Sequence, residues 1–340
     1  MTRKVNEKNE RIKRAYLHYL REAKRMDETT CRRAAEGILK FEKSTGYKCF
    51  KKFHIDQPRR FKNDLSEEVS PTTGKPLGKA TVSGILRANK AFFQWLAGQP
   101  GYKSRISYSD AEYFNQNAKD ARAAHAQRET PYPSLEQCRA AFVAMPQSTE
   151  IERRNRALFA CLMITGARDG ALSSFRLKHV DLISGSIFQD GREVRTKGSK
   201  TFNTYFLPVD PIYRPAFEEW VTYLRTEKLF GPDDTLFPPP RMGVGNDGFQ
   251  VLGLKRECYA GAGPLREAIK KAFTDAHMPA FGPHSFRKTL VRWADNHYPT
   301  REAFKAFSQN IGHDSVVTTV SAYCHVTQER QAELIRETTP

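Results

Sequence analysis

Residues 158–164 read LFACLMI, without a single charged side chain. A helix apolar on every side has no face to give to water, so this one must be buried through its length. The surrounding chain therefore has to supply a complete core. At 340 residues there is material for about two domains of ordinary size.

Upstream of that segment the pattern is helical. Lys4 to Arg25 carries Ile12, Tyr16, Tyr19 and Leu20 at helical spacing. Thr29 or Thr30 is placed to cap a second helix that ends near Gly46. Pro58 opens a short third helix, and Pro71, Gly74, Pro76 and Gly78 mark a loop. Val82, Ile85, Leu86, Phe92, Phe93, Trp95 and Leu96 then form the strongest apolar face of this half, a stripe read as core ahead of a base-stacking platform. A last helix runs from about Ser109 to Ala126. The polar, proline-bearing stretch 127–133 (QRETPYP) reads as a linker, separating a helical domain at 1–126 from a second domain at 134–340. Ser134 and Gln137 form a capping box that opens the second domain.

The period changes between Ser186 and Val209. Short β-type runs are broken at Asp190-Gly191, a two-residue hairpin signal, and again at Gly198-Ser199. The expected fold class is thus mainly α with a small antiparallel β-sheet. Helices resume over 210–228, and again from Pro264. The stretch 231–263, rich in proline and glycine, gives no clear signal.

The net charge of +17 points to a polyanionic partner, nucleic acid being the commonest. In the first half Lys48, Lys51, Lys52, Arg59, Arg60, Lys62, Lys75, Lys79, Arg87 and Lys90 are clustered cations suited to neutralising phosphates. Of these, Lys48, Lys51, Lys52, Arg59, Arg60, Lys79, Arg87 and Lys90 are the candidate DNA-binding set. Such contacts carry no base specificity by themselves. No apolar run approaches the roughly 18 residues of a membrane span, and the N-terminus lacks an apolar signal core. Six cysteines without a CxxC pair or a Cys/His set argue against zinc and disulfides, and for a reduced cytoplasmic setting.

The chemistry-bearing residues lie in the second half. Arg168 follows the buried helix in TGARDGAL, where a buried arginine needs a partner and Asp169 is the near candidate. Lys197 stands in TKGSK, with Lys200 as its alternative. His284 and Arg287 share a helix face at i and i+3. His313 follows a glycine, and Tyr323 comes ten residues later. His313 has a second reading as a cap for a helix starting at Asp314; Tyr213 and Tyr298 are the rival phenols, without Tyr323's context.

The order TGAR, TKGSK, PHSFRKT, IGHDS, TTVSAYCHV resembles the tyrosine recombinase (phage integrase) family, closely over Pro133 to Val326 and loosely before it. The resemblance implies a helical core-binding domain followed by a mixed α+β catalytic domain. It implies Tyr323 as nucleophile on a DNA phosphodiester, giving a 3′-phosphotyrosine and a free 5′-hydroxyl. Arg168 and Arg287 would hold the non-bridging oxygens, and Lys197 would protonate the leaving oxygen. His284 would assist proton transfer at the tyrosine, His313 would hydrogen-bond the phosphate, and His325 would be structural. Partners implied are double-stranded DNA attachment sites, a homotetramer on DNA and accessory DNA-bending or directionality proteins, with no cofactor, metal or membrane. The protein would be nucleoid-associated when bound. The C-terminal helix, Thr327 to Arg336, would pack on a neighbouring subunit or on its own chain. One departure stands out: Ala171 occupies the place where the family commonly carries an acidic residue.

The residue types suit that chemistry on their own terms. Guanidinium forks donate to two phosphate oxygens at once. A phenol is only about one part in a thousand ionised at pH 7, so it needs a base and cationic surroundings. Alternative functions are a type IB-like topoisomerase, which would not need paired sites, and a non-catalytic DNA-binding protein on the same scaffold.

Overall fold

A computed structural model describes residues 5–71, 73–125, 131–245 and 248–313, together with 315–317, 319 and 336. The chain forms two compact units, Met1–Arg128 and Glu129–Pro340.

The first unit is helical: α1 (Glu7–Glu22), α2 (Glu28–Ser44), α3 (Asp56–Glu67), α4 (Lys79–Ala97) and α5 (Ala118–His125), with 3-10 turns at Phe50–Lys52 and Tyr108–Phe114. The α4 stripe is core. Val82, Leu86, Phe92, Phe93 and Leu96 are buried, and Phe93 packs against Phe41, Phe50, Phe53 and Phe114. The aromatic geometry is edge-on or tilted at most of these contacts, as ring quadrupoles favour. Buried Asn9 ties α1 to the loop after α2, donating to Lys48 O at 2.9 Å and accepting from Phe50 N at 2.9 Å.

Two expectations are corrected here. Asp27, not Thr29 or Thr30, caps α2, its carboxylate accepting from Thr30 N at 2.7 Å. The helix expected over 109–126 is broken. Ser107 and Asp110 form a capping box for a 3-10 turn, the chain extends at Asn115, and Asn117 restarts a helix by accepting from Asp120 N at 2.7 Å. Asparagine side chains compete for backbone groups in this way.

The second unit contains α6 (Leu135–Ala144), α7 (Glu150–Thr165), α8 (Asp169–Leu172), α9 (Tyr213–Thr226), α10 (Gly263–Asp275), α11 (Pro283–His297) and α12 (Arg301–Asn310). Ser134 and Gln137 cap α6 as the sequence predicts. Helix α7 is the centre: from Ala157 to Thr165 every residue is buried. Strands β1 (Val180–Asp181), β2 (Ser186–Gln189) and β3 (Phe202–Tyr205) form an antiparallel sheet in that order. Strands β4 (Pro240–Gly245) and β5 (Gly248–Leu254) form a separate hairpin from the stretch that gave no sequence signal.

The β2–β3 turn differs from expectation. The last ladder pair is Gln189↔Phe202, so the connection runs over 190–201 rather than through a two-residue Asp190-Gly191 turn. Asp190 instead starts a helical-type turn, with Val194 N donating to its carbonyl at 2.7 Å and its carboxylate held by Arg192. Gly191 is needed for a close chain crossing: a Cβ there would lie 2.0 Å from Ser199 O. The second turn is as read, with Gly198 and Ser199 both at positive φ (73° and 52°).

Candidate active site

The end of α7 sets the site's frame. Thr165 donates its hydroxyl to Cys161 O and accepts from Ala167 N, and Gly166 closes the helix in the left-handed region (φ 58°). A Cβ on Gly166 would lie 3.1 Å from Leu290 of α11 and 3.3 Å from Ile311 after α12. The turn that follows delivers Arg168 as the residue capping α8.

Arg168 is not the buried arginine. It is partly exposed and makes no hydrogen bond or ion pair among the described residues. Asp169 is not its partner; that carboxylate pairs with Arg266 of α10 and accepts from Gly170 N. Arg287 takes the buried place, at 2% exposure. From the first turns of α11 its guanidinium donates to Gly166 O, to Ile311 O at 2.9 Å and to His313 Nε2 at 2.8 Å. It therefore fastens the end of α7 to the end of α12.

His313 follows Gly312, whose positive φ (75°) and close approach to the Phe202 ring of β3 exclude a side chain. Its backbone N–H donates to Ser308 O at 3.0 Å, and its Nδ1 lies 2.7 Å from Thr319 Oγ1. Burial, then Arg287, Arg168, Lys200 and Lys197, push its pKa down to about 3, so the imidazole is neutral at pH 7. His284 stands one turn before Arg287 and reaches the surface. Loss of water around its ring, with Arg287, Lys288 and Arg168, lowers its pKa as well. Arg168, His284, Arg287 and His313 thus share one electrostatic neighbourhood.

Lys197 and Lys200 both reach that neighbourhood from the β2–β3 connection, since both act on His313. Lys197 is exposed and Lys200 partly so. The connection is fastened beside them: Arg195 N donates to buried Ser174 Oγ at 2.9 Å, and the Arg195 side chain donates to Tyr259 O and Ala260 O, each at 3.0 Å. Beyond it, Thr204 Oγ1 donates to Asn310 O at 2.9 Å, docking β3 on the end of α12. Ala171 is buried in the core, so no carboxylate stands there to orient the arginines.

Of the rival phenols, Tyr213 is packed against Phe142 and Phe159 with its pKa raised by burial. Tyr298 packs on Trp293 and Phe307, and burial raises its pKa also. Tyr323, His325, Asp314 and the stretch 327–335 lie outside the described residues. Sequence reasoning treated Thr319 only as context for Tyr323, and it did not mark Ser308 or the carbonyls of Gly166 and Ile311. Among the described residues no three His, Cys, Asp or Glu side chains converge as metal ligands, and no helix is long and apolar enough to cross a membrane.

In the first unit, Lys48, Lys51, Lys52, Arg59, Arg60, Lys79 and Arg87 are exposed and Lys90 is partly so. Lys79 pairs with Asp120 at 2.8 Å, Lys90 with Glu112 at 2.7 Å and Arg59 with Asp56 at 3.3 Å. Lys51 lies over the Tyr102 ring. Lys48, Lys52, Arg60 and Arg87 make no ion pair among the described residues.

No family model matches the sequence. Tyrosine recombinase XerC of Escherichia coli O127:H6 is 26% identical over 226 residues, spanning 65% of this chain and 66%, just under two thirds, of that protein. Among solved structures, a lambda integrase (residues 75–356) dimer bound to a COC′ core site has a TM-score of 0.60 at 13% identity, covering 92% of this chain and 94% of that one. The Tn1549 transposon integrase with circular intermediate DNA has a TM-score of 0.57 at 15% identity, covering 95% and 98%. These two likenesses establish the fold. In sequence the chain is similar to tyrosine recombinase XerC over 65% of its length.

Proposed function

We propose that the protein is a site-specific DNA recombinase, the integrase of a mobile element, that cuts and rejoins DNA through a covalent 3′-phosphotyrosine. The observation that carries this reading is the gathering of Arg168, His284, Arg287, His313 and the Lys197/Lys200 loop at one place, from elements far apart in the chain.

Tyr323 Oη attacks the phosphorus, and the P–O5′ bond breaks with its electron pair on O5′. Lys197 delivers a proton to that oxygen, with Lys200 as the alternative donor, and His284 takes up the phenol proton. Arg168, partly exposed, holds a non-bridging oxygen. A second oxygen competes with His313 Nε2 for the Arg287 Nη2–H group, so phosphate binding releases His313 to donate in turn. The reverse attack by the 5′-hydroxyl of a new partner strand reseals the backbone. Bond energy is kept in the phosphotyrosine, so resealing requires no nucleotide.

The first unit's exposed or partly exposed cations, Lys48, Lys51, Lys52, Arg59, Arg60, Lys79, Arg87 and Lys90, supply sequence-independent affinity for the duplex. Lambda integrase has been solved as a tetramer bound to a Holliday junction, and we extend that assembly to this chain as a homotetramer on paired attachment sites. Accessory DNA-bending or directionality proteins belong to the same reading.

The test is a suicide duplex carrying a nicked attachment site. The parent protein should form a covalent adduct that Tyr323→Phe does not. An adduct from Tyr323→Phe removes Tyr323 from the mechanism. Relaxation of supercoiled DNA without paired sites would favour a topoisomerase instead.

A further inference from the structure

The hydrogen bonds of His313 continue past Thr319. Thr319 Oγ1 lies 2.7 Å from Ser308 Oγ, and Ser308, His313, Thr319 and Arg287 are buried at 1%, 6%, 0% and 2% exposure. The direction of this chain follows from its arginine end. A guanidinium only donates, so His313 Nε2 must present its lone pair to Arg287. In a neutral imidazole the proton then sits on Nδ1 and is donated to Thr319, whose own hydroxyl hydrogen turns toward Ser308. Among the described residues, the cations Arg168 from the α7–α8 junction, Arg287 from α11, and Lys197 and Lys200 from the β2–β3 connection act on the ring.

This tautomer has no Nε2–H to give to a phosphate. Resting on the recombinase reading above, we propose that Thr319, backed by Ser308, is a positioning residue that holds the His313 ring whichever of its nitrogens carries the proton, while Arg287 sets which one does. When a phosphate oxygen takes the Arg287 N–H, His313 takes a proton from water at Nε2 and gives its Nδ1 proton up through the Thr319 hydroxyl, so the ring stays neutral and the proton count is unchanged. Thr319 then donates to Nδ1, and Ser308 donates to Thr319. A hydroxyl serves both states because it donates and accepts. A methyl group of the same size serves neither.

The experiment uses the full chain and compares Thr319→Val, which keeps shape but removes the hydroxyl, with Thr319→Ser, which restores it. Thr319→Cys, similar in size but weak in hydrogen bonding, provides a second deletion of the function if Thr319→Val folds poorly. Single-turnover cleavage of the suicide duplex is followed from pH 5 to 9, with duplex affinity measured by anisotropy. For Thr319→Val and Thr319→Cys, cleavage should fall roughly tenfold to a hundredfold, as for one buried N–H left without its acceptor. The shape of the profile between pH 5 and 9 should be kept, because His313 titrates below that window. Affinity should be kept, and Thr319→Ser should match the parent. A parent-like rate in Thr319→Val, or a Thr319→Ser no better than Thr319→Val, overturns the relay. Absence of any adduct from the parent overturns the recombinase reading itself.

Discussion

Arg287→Ala is the most informative single change in the second unit, because the side chain is both buried and shared among three elements. Its removal leaves Gly166 O, Ile311 O and His313 Nε2 without the donor each now has. A buried acceptor stripped of its donor costs about 1–3 kcal/mol, and relief from burying a cation returns part of the sum. The net expectation is about 3–5 kcal/mol. At about 2–4 °C per kcal/mol for a unit of this size, that is a fall in Tm of about 10 °C. Arg287→Lys should recover less than half, since an ammonium keeps the charge but cannot fork toward acceptors on two chain segments. Urea unfolding at pH 7.5 followed by tryptophan fluorescence reads this unit through Trp220 and Trp293, with Trp95 reporting the first unit. A second signature follows from the electrostatics: with Arg287 gone, His313 titrates nearer its ordinary range. An Arg287→Ala protein that unfolds at the parent's urea concentration would refute the fastening role. Persisting strand cleavage in it would show that the catalytic site lies elsewhere.

His313 makes stability depend on acid in a defined direction. Its folded pKa of about 3 lies below the ordinary value, so the unfolded chain takes the proton first, and stability present above pH 6.5 is lost as pH falls toward 3. The slope reaches about 1.4 kcal/mol per pH unit, and His313→Gln should flatten it in urea midpoints taken at pH 7 and pH 4.5; an unchanged slope assigns the loss to other groups. Gly191→Ala sets a Cβ 2.0 Å from Ser199 O and must displace the loop bearing Lys197. It should destabilise by about 1–3 kcal/mol and slow suicide-duplex cleavage roughly a hundredfold; parent-like cleavage would show that the loop position does not matter to the reaction. In the first unit, joint replacement of Lys48, Lys52, Arg60 and Arg87 by Ala should reduce the slope of log affinity against log salt by about 0.9 for each phosphate no longer neutralised. An unchanged slope in anisotropy titrations moves the DNA-binding surface to another face.

What the sequence made legible is what short-range chemistry decides. The apolar run at 158–164 could only be a core helix, and Ser134 with Gln137 could only help start one. The stripe from Val82 to Leu96 is core for the same reason. Failures cluster where side chains compete with backbone hydrogen bonding or where distant chains meet. Asn115 and Asn117 break a helix that periodicity alone would continue. Gly191 looks like a turn residue, yet its lack of a Cβ is used by Ser199. The β4–β5 hairpin carries Val244, Phe249 and Val251 in exposed positions, so no alternation of burial was there to be read.

The site shows the same division at finer scale. The i, i+3 spacing of His284 and Arg287 correctly puts both on one helix face, but spacing says nothing about depth. Arg287 is drawn inward because two left-handed glycine turns bring carbonyls to it: Gly166 offers its own, and Gly312 lets the chain after Ile311 fold back past Phe202. Arg168, placed at a helix end that looked buried, is partly exposed instead. TGAR and IGHDS therefore do more than present an arginine and a histidine. Their glycines allow α7, α11, α12 and β3 to approach within side-chain contact, and this closeness makes His313 neutral and commits its Nε2 to Arg287. A side chain at either glycine disturbs the ionisation of the site before it touches any residue proposed to contact DNA.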